Sequence, residues 1–261
     1  ERNHASIIEG IKSSGCAKQV FRHNDVQHLE EILASLPAGQ PKLIVFESIY
    51  SISGNVAPIK KITALAEKYN ALTYVDEVHA VGLYNSNGAG VVATLQLQNQ
   101  VDIINGTFAK AFGTLGGYVT ADADMIDYLR SFASGFIFTT SLPPAVCAAT
   151  IRSIELVKQN DTWRSNFHAG VAQLRTLLQQ YKVPYHANAS HITCVPVGNS
   201  LTCRKIAARL LNEFGLYLQP INPPTVREGE ACLRITVTAK HTLADMQHLA
   251  VSLSKVLNET V

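Results

Sequence analysis

The stretch Ala71-Leu72-Thr73-Tyr74-Val75-Asp76-Glu77-Val78-His79 passes from a short apolar run to a carboxylate and an imidazole three residues apart. A run this short, rich in β-favouring residues and ended by charge, predicts a strand at Leu72–Asp76. Working outward, comparable runs predict strands at Leu43–Ser48, Asp102–Thr107 and Gly116–Thr120. Between the first two, Pro58 opens a helix over Pro58–Tyr69 whose Ile59, Ile62, Leu65 and Ala66 share one face. Strand, helix and strand form a βαβ unit, and the alternation from Leu43 to Val119 predicts an α/β fold built on a mostly parallel sheet. Ligands in open sheets of this kind gather at the carboxyl ends of the strands. Asp76 and His79 stand at such an end.

Further along, Pro143-Pro144 begins a helix reaching about Val157, and Asp161 is placed to cap a second one ending at Gln180. Beyond Pro184 the pattern predicts a strand at His191–Val197, a helix at Leu201–Phe214, strands at Leu216–Pro220 and Cys232–Thr238, and a last helix at Leu243–Val256. The expected division is a large domain over 1–160 and a smaller α/β domain over 161–261, with the boundary near Asn160.

With 261 residues, 47% hydrophobic and 16% charged, the chain can bury a sizeable core and lacks the charge excess of a disordered segment. A net charge of +2 gives no reason to expect a polyanion partner or a membrane surface. No apolar run approaches the roughly 18–20 residues that span a bilayer. Cys16, Cys147, Cys194, Cys203 and Cys232 form no CxxC pair and read as reduced thiols of an intracellular protein. His23, His28, His168, His186, His191, His241 and His248 show no close metal-ligand spacing, so no metal is expected. Of these, His191 is the one to watch, because it opens a strand of the smaller domain.

A carboxylate buried at a strand end needs a positive partner. A protonated pyridine nitrogen would serve, and His79 could then hydrogen-bond a neighbouring ring oxygen. Read without that ligand, Asp76 is a helix N-cap or half of a structural ion pair, and His79 a satisfied core histidine. Asp-Glu-Val-His also occurs as the acidic box of nucleotide-hydrolysing enzymes, but those need a GxxxxGK[ST] loop upstream, which this sequence does not contain. The following strand leads through Thr107 to Lys110 in Lys110-Ala111-Phe112-Gly113, with Gly116-Gly117 close behind. A lysine desolvated among apolar neighbours becomes a competent Schiff-base former and proton shuttle. Thr107, shortly before it, is placed to donate to a phosphate. A lone lysine is otherwise a solvated surface residue.

Taken in order, these residues resemble the α-oxoamine synthase family of fold-type I pyridoxal-phosphate enzymes, and the likeness runs from the first residue to near the last. Asn3-His4-Ala5-Ser6 is similar to the segment whose histidine stacks on the cofactor ring. Ser51, in Tyr50-Ser51-Ile52-Ser53-Gly54, matches a serine near the ring oxygen. Asp76 and His79 match the partners of the pyridine nitrogen and ring oxygen, Lys110 the Schiff-base lysine, and Thr107 a phosphate ligand. Thr140 and Ser141, in Phe138-Thr139-Thr140-Ser141-Leu142-Pro143-Pro144, match residues that reach the phosphate of a neighbouring subunit. Arg234, in Leu233-Arg234-Ile235-Thr236, matches the arginine that binds the amino-acid carboxylate. The resemblance therefore implies pyridoxal 5'-phosphate as cofactor, a homodimer with its site at the interface, and a large domain followed by a small one.

Within the family, Val75 to Tyr84, Gly135 to Pro144, Ser190-His191-Ile192, and Gln219 to Asn222 with Pro224-Thr225-Val226 are most similar to the members that condense glycine with succinyl-CoA and release CoA and CO2. Thr225 belongs to the segment that closes over the acyl-CoA, and Arg227 beside it can meet an acyl carboxylate, a CoA phosphate or solvent. Members using alanine, serine or a longer acyl chain, and a non-catalytic subunit of the same fold, are the rival readings. The expected compartment is the cytoplasm of a bacterium or the mitochondrial matrix of a eukaryote. Ala109 replaces the family's usual glycine, and its methyl group is expected to crowd the backbone there. Pro223 replaces an aromatic residue, Val237 and Ala239 replace prolines, and Ser53 and Asn55 replace common acidic residues. Because Glu1-Arg2-Asn3-His4 opens inside a motif, the chain is expected to be a piece of a longer protein, which alone can be inactive.

Overall fold

The computed structural model describes residues 1–260 and divides the chain into two compact units. The first comprises Glu1–Tyr50 and Val56–Asp161; the second comprises Ser51–Asn55 and the chain from Thr162 onward.

The first unit contains α1 (Ala5–Ser13), α2 (Val26–Ser35), β1 (Leu43–Glu47), α3 (Ile59–Lys68), β2 (Leu72–Asp76), α4 (Val91–Thr94), β3 (Ile103–Thr107), β4 (Gly117–Thr120), α5 (Ala123–Phe132), α6 (Ser134–Ile137) and α7 (Pro144–Gln159). Its sheet has the order β1-β2-β3-β4, with the first three strands parallel and β4 antiparallel to β3. A parallel return needs a crossover of a dozen residues or more. Only residues 108–116 separate β3 from β4, so the chain turns back as a hairpin. The buried face of α3, with Ile59, Ile62, Leu65 and Ala66, and the inner residues Ile44, Phe46 and Val75 make the core. Strand β3 begins one residue later than the sequence pattern predicts. Asp102 is diverted to accept hydrogen bonds from Thr73 N at 2.7 Å and Thr73 Oγ1 at 2.8 Å.

Following it in the chain are α8 (Asp161–Gln180), β5 (Thr193–Gly198), α9 (Ser200–Phe214), β6 (Gln219–Ile221), β7 (Ala231–Ile235) and α10 (Leu243–Thr260). Asp161 is the first residue of α8 rather than a cap ahead of it. The second unit's sheet has the order β5-β7-β6 and is antiparallel throughout. Asn199 caps α9 by accepting from Leu201 N and Thr202 N, and Gly215, at φ +69, ends it in the left-handed conformation. The core is filled by Leu174, Leu178, Val195, Ile206, Leu210, Leu233 and Leu253. Cys194, Cys203 and Cys232 are buried and free; Cys16 and Cys147 are exposed and free. Among the described residues, no helix is long and apolar enough to cross a membrane.

Candidate active site

At the end of β2 the backbone is held on both sides. Ser48 N donates to Asp76 O at 2.9 Å and Glu77 N donates to Asn105 O at 2.8 Å. The Asp76 carboxylate is buried at 6% exposure, yet both of its hydrogen bonds come from neutral groups: Val78 N at 2.8 Å to Oδ1 and Asn105 Nδ2 at 3.2 Å to Oδ2. Among the described residues it neither caps a helix nor forms an ion pair. Burial pushes its pKa above the usual carboxylate range, opposed by these two hydrogen bonds and by the charges of His4 and Lys110 acting through space. Asn105, directly opposite Asp76 in the sheet register, was not singled out from the sequence. A polar side chain inside the apolar run Ile103-Ile104-Asn105 was the available signal.

Next to it Glu77 is fully buried. Its Oε1 accepts from Val91 N at 3.0 Å and Val92 N at 3.2 Å, which ties the turn after β2 to the start of α4. A Cβ at Gly90 would collide with this carboxylate, and Gly90 sits at φ +108, so glycine is required there. Burial pushes the Glu77 carboxyl up to about 7. His79 follows, half-buried, in the turn stitched by Ala80 N and Val81 N to Glu77 O.

Lys110 lies in the turn between β3 and β4, closed by Gly113 N to Lys110 O at 3.1 Å and Phe108 N to Gly116 O at 2.9 Å. The desolvation expected from its apolar neighbours is not present among the described residues. Lys110 is exposed together with Ala109, Ala111 and Gly113, because the tight turn places all four at the surface. Exposure at Ala109 likewise leaves its methyl group uncrowded; Ala109 N donates to Thr107 Oγ1 at 3.2 Å. The Thr107 hydroxyl donates to Gly116 O at 3.1 Å, so its hydrogen is engaged within the hairpin. Phe108, Phe112 and Tyr118 border a cavity of about 440 Å³ with Ile154, Val157 and Lys158, and none of the expected site residues lines it.

His4 is exposed and caps α1, its Nδ1 accepting from Ser6 N. Asn3 moors this segment to the sheet through Nδ2 to Val45 O at 2.9 Å. Thr140 and Ser141 are exposed in the link between α6 and α7. The stretch of chain around them carries exposed apolar side chains at Phe132, Phe136, Ile137, Phe138 and Leu142. The first unit thus places His4 and Lys110 each within electrostatic reach of Asp76 and leaves Thr140 and Ser141 exposed.

In the second unit Arg234, half-buried on β7, donates through Nη1 to Ser51 O at 2.9 Å, so these two expected site residues meet. Thr225 is exposed in the loop between β6 and β7, where its N–H donates to Asn222 O at 3.0 Å. His191 is buried against Phe167, with ring centroids 5.4 Å apart. Burial, with the nearby His168, Arg175 and Arg234, drives its pKa down to about 4, so it is a neutral imidazole at physiological pH.

The sequence model for aminotransferase class I and II matches residues 1–253. A 5-aminolevulinate synthase of Rickettsia prowazekii (strain Madrid E) is 48% identical over 259 residues, covering 99% of this chain and 63% of that protein. Another, from Rhizobium meliloti (strain 1021), is 48% identical over 251 residues, covering 96% and 62%. The chain therefore spans less than two thirds of the length of these curated relatives. Among solved structures, a variant of serine palmitoyltransferase from S. paucimobilis with a PLP–myriocin aldimine bound superposes with a TM-score of 0.93 at 32% identity, covering 99% of this chain and 65% of that one.

Proposed function

Because the chain belongs to the aminotransferase class I and II family, in its α-oxoamine synthase branch, we propose that the protein containing it condenses glycine with succinyl-CoA to give 5-aminolevulinate, CoA and CO2, a step of tetrapyrrole and heme biosynthesis. The observation that carries this reading is the buried Asp76 carboxylate at the end of β2, hydrogen-bonded by the neutral donors Val78 N and Asn105 Nδ2 and lying within electrostatic reach of Lys110.

The donor set fits pyridoxal 5'-phosphate. Burial makes Asp76 a costly anion until a cation joins it, and a protonated pyridine nitrogen is such a cation. Lys110 is a lysine whose charge reaches Asp76, and its side chain is exposed. His79 would face the ring oxygen, His4 the ring plane, and Ser51, Thr107, Thr140 and Ser141 would supply hydroxyls to the ring oxygen and phosphate. Thr107 would do so by exchanging its bond to Gly116 O. Bound pyridoxal phosphate supplies a sink for the electrons released at the amino-acid α-carbon. Asp76 keeps the ring nitrogen protonated for that purpose. Arg234 orients the glycine carboxylate, and Lys110 Nζ takes the α-proton. Thr225 and its loop cover the acyl-CoA side.

The exposed apolar run around Thr140 and Ser141 supports a second copy of the protein as its cover, with the two hydroxyls acting across the interface. The experiment uses the full-length protein. Its absorption spectrum is taken with added pyridoxal phosphate, then borohydride reduction and peptide mapping locate any label, and CoA release is measured with glycine, alanine and serine against succinyl-CoA and longer thioesters. Label on Lys110 with glycine and succinyl-CoA preferred is the expected result. Label on Lys110 with another substrate pair would move the protein to a different synthase, and a folded protein without label would make it a non-catalytic subunit.

A further inference from the structure

Residues 51–55 stand between β1 and α3 in sequence yet belong to the second unit. Three consecutive carbonyls of this segment are each taken by a different side chain. Arg234 Nη1 donates to Ser51 O at 2.9 Å, Cys194 Sγ to Ile52 O at 2.8 Å, and Asn188 Nδ2 to Ser53 O at 3.0 Å. Gly54 comes next, at φ +68. A Cβ there would stand 2.7 Å from Asn188 Nδ2 and 2.8 Å from Ser190 Oγ, so the approach of Asn188 to Ser53 requires glycine at 54.

Asn188 is itself locked. Its Nδ2 also serves Ile192 O at 2.9 Å, and its Oδ1 accepts from Ser190 N and Arg175 Nη2, both at 3.0 Å. These partners fix which end of the amide is the donor. Arg175 then ties the same loop together through Asn188 O at 3.0 Å, Ser190 O at 2.8 Å and Thr193 Oγ1 at 3.2 Å. A guanidinium carries five donors in a rigid plane, so committing one N–H to a stationary carbonyl sets the direction of the others. For Arg234 that carbonyl is Ser51 O, and the next two carbonyls of the same short segment are held by Cys194 and Asn188.

We propose that Asn188, oriented by Arg175, and Cys194 are positioning residues: by fixing the carbonyls of residues 51–53 they align Arg234 for the carboxylate of the amino-acid substrate. This rests on the reading of Arg234 as the carboxylate-binding arginine. The test compares Asn188→Ala, Cys194→Ala and Cys194→Ser in the full-length holoenzyme. Steady-state kinetics are measured in both substrates, and amide hydrogen exchange is followed in the peptide spanning 51–55. Losing one such hydrogen bond is expected to raise the glycine KM about five-fold, with the succinyl-CoA KM held within about two-fold, and to accelerate exchange in the segment. Cys194→Ser, which keeps a donor, restores both. A rise in both KM values together with a fall in kcat would mark a merely structural role and overturn the proposal. A wild type that consumes no amino acid would refute the acyl-transfer reading and with it the role of Arg234. Unchanged glycine KM or unchanged exchange in an active enzyme would refute the positioning alone.

Discussion

Replacing Glu77 by Gln should make the protein more resistant to unfolding as the pH rises. The carboxyl is fully buried and pushed up to about 7 from an ordinary 4.5, chiefly by burial, with the neighbouring charge of Asp76 adding to the shift. The Tyr118 phenol, raised by its own burial, also feels this carboxylate. Below pH 4.5 the folded and unfolded chains both carry the proton. Between 4.5 and about 7 only the folded chain does, so stability falls with rising pH across that window. At about 1.4 kcal/mol per pH unit the loss accumulates to about 3 kcal/mol by pH 8. Glutamine keeps the acceptor that Val91 N and Val92 N require but does not titrate. His191 works in the opposite sense: its pKa is lowered from 6.5 to about 4, so its contribution grows as pH rises through that interval. That term is common to both proteins and cancels on subtraction. Urea unfolding followed by circular dichroism from pH 4.5 to 8 should therefore show Glu77→Gln gaining about 3 kcal/mol on the wild type. Parallel stability curves would mean that Glu77 ionises as an ordinary carboxylate in the folded state, and the burial argument would fail.

Asp76→Ala should lower kcat by about a thousand-fold, read by CoA release; near-normal turnover would refute its role opposite the ring nitrogen. Gly90→Ala places a methyl group against the Glu77 carboxylate at φ +108 and should cost about 2 kcal/mol or more in thermal or urea unfolding. Leu210→Ala empties a fully buried site beneath the second sheet and should cost about 3 kcal/mol in the same assay. The His191 imidazole should remain neutral from pH 5 to 8, so its proton NMR resonances should not move across that range; a midpoint near 6.5 would show that the side chain is solvated.

The elements legible in the sequence were those whose periodicity is enforced by burial. Strand β2 and the apolar face of α3 pack into the first core, and α8, with Phe167, Val171, Leu174 and Leu178 buried, announces itself in the same way. Helix α1 buries none of its residues, so its apolar spacing has no packing consequence to read. Helix α2 carries a sequence signal of its own: Asp25 caps it by accepting from His28 N, and Leu29 and Leu33 are one turn apart and buried. In the candidate site, the sequence points to Asp76 because ligands in this fold class gather at the carboxyl ends of strands. It gives no such signal for Asn105, Asn188 and Arg175, whose part is set by hydrogen bonds across the fold, as far as Asn188 to Ser53, 135 positions apart. The exposure of Lys110 could not be inferred from apolar neighbours, since a tight turn exposes alanine and lysine alike.

The gripped carbonyls of residues 51–53 bear on how the chain is made. Ser51 leaves the ribosome 183 residues before the arginine that holds it. At roughly 5–20 residues per second, synthesis of that interval takes on the order of ten to forty seconds. For that time the segment has water where its side-chain donors will later be, and a C-terminal fragment expressed from Thr162 would never meet it. Such a fragment would deprive Arg234 Nη1 and Cys194 Sγ of these carbonyls and leave Asn188 Nδ2 with Ile192 O but not Ser53 O. The second unit is thus a late product of translation that depends on an early piece of sequence, and it should be produced only as part of the longer chain.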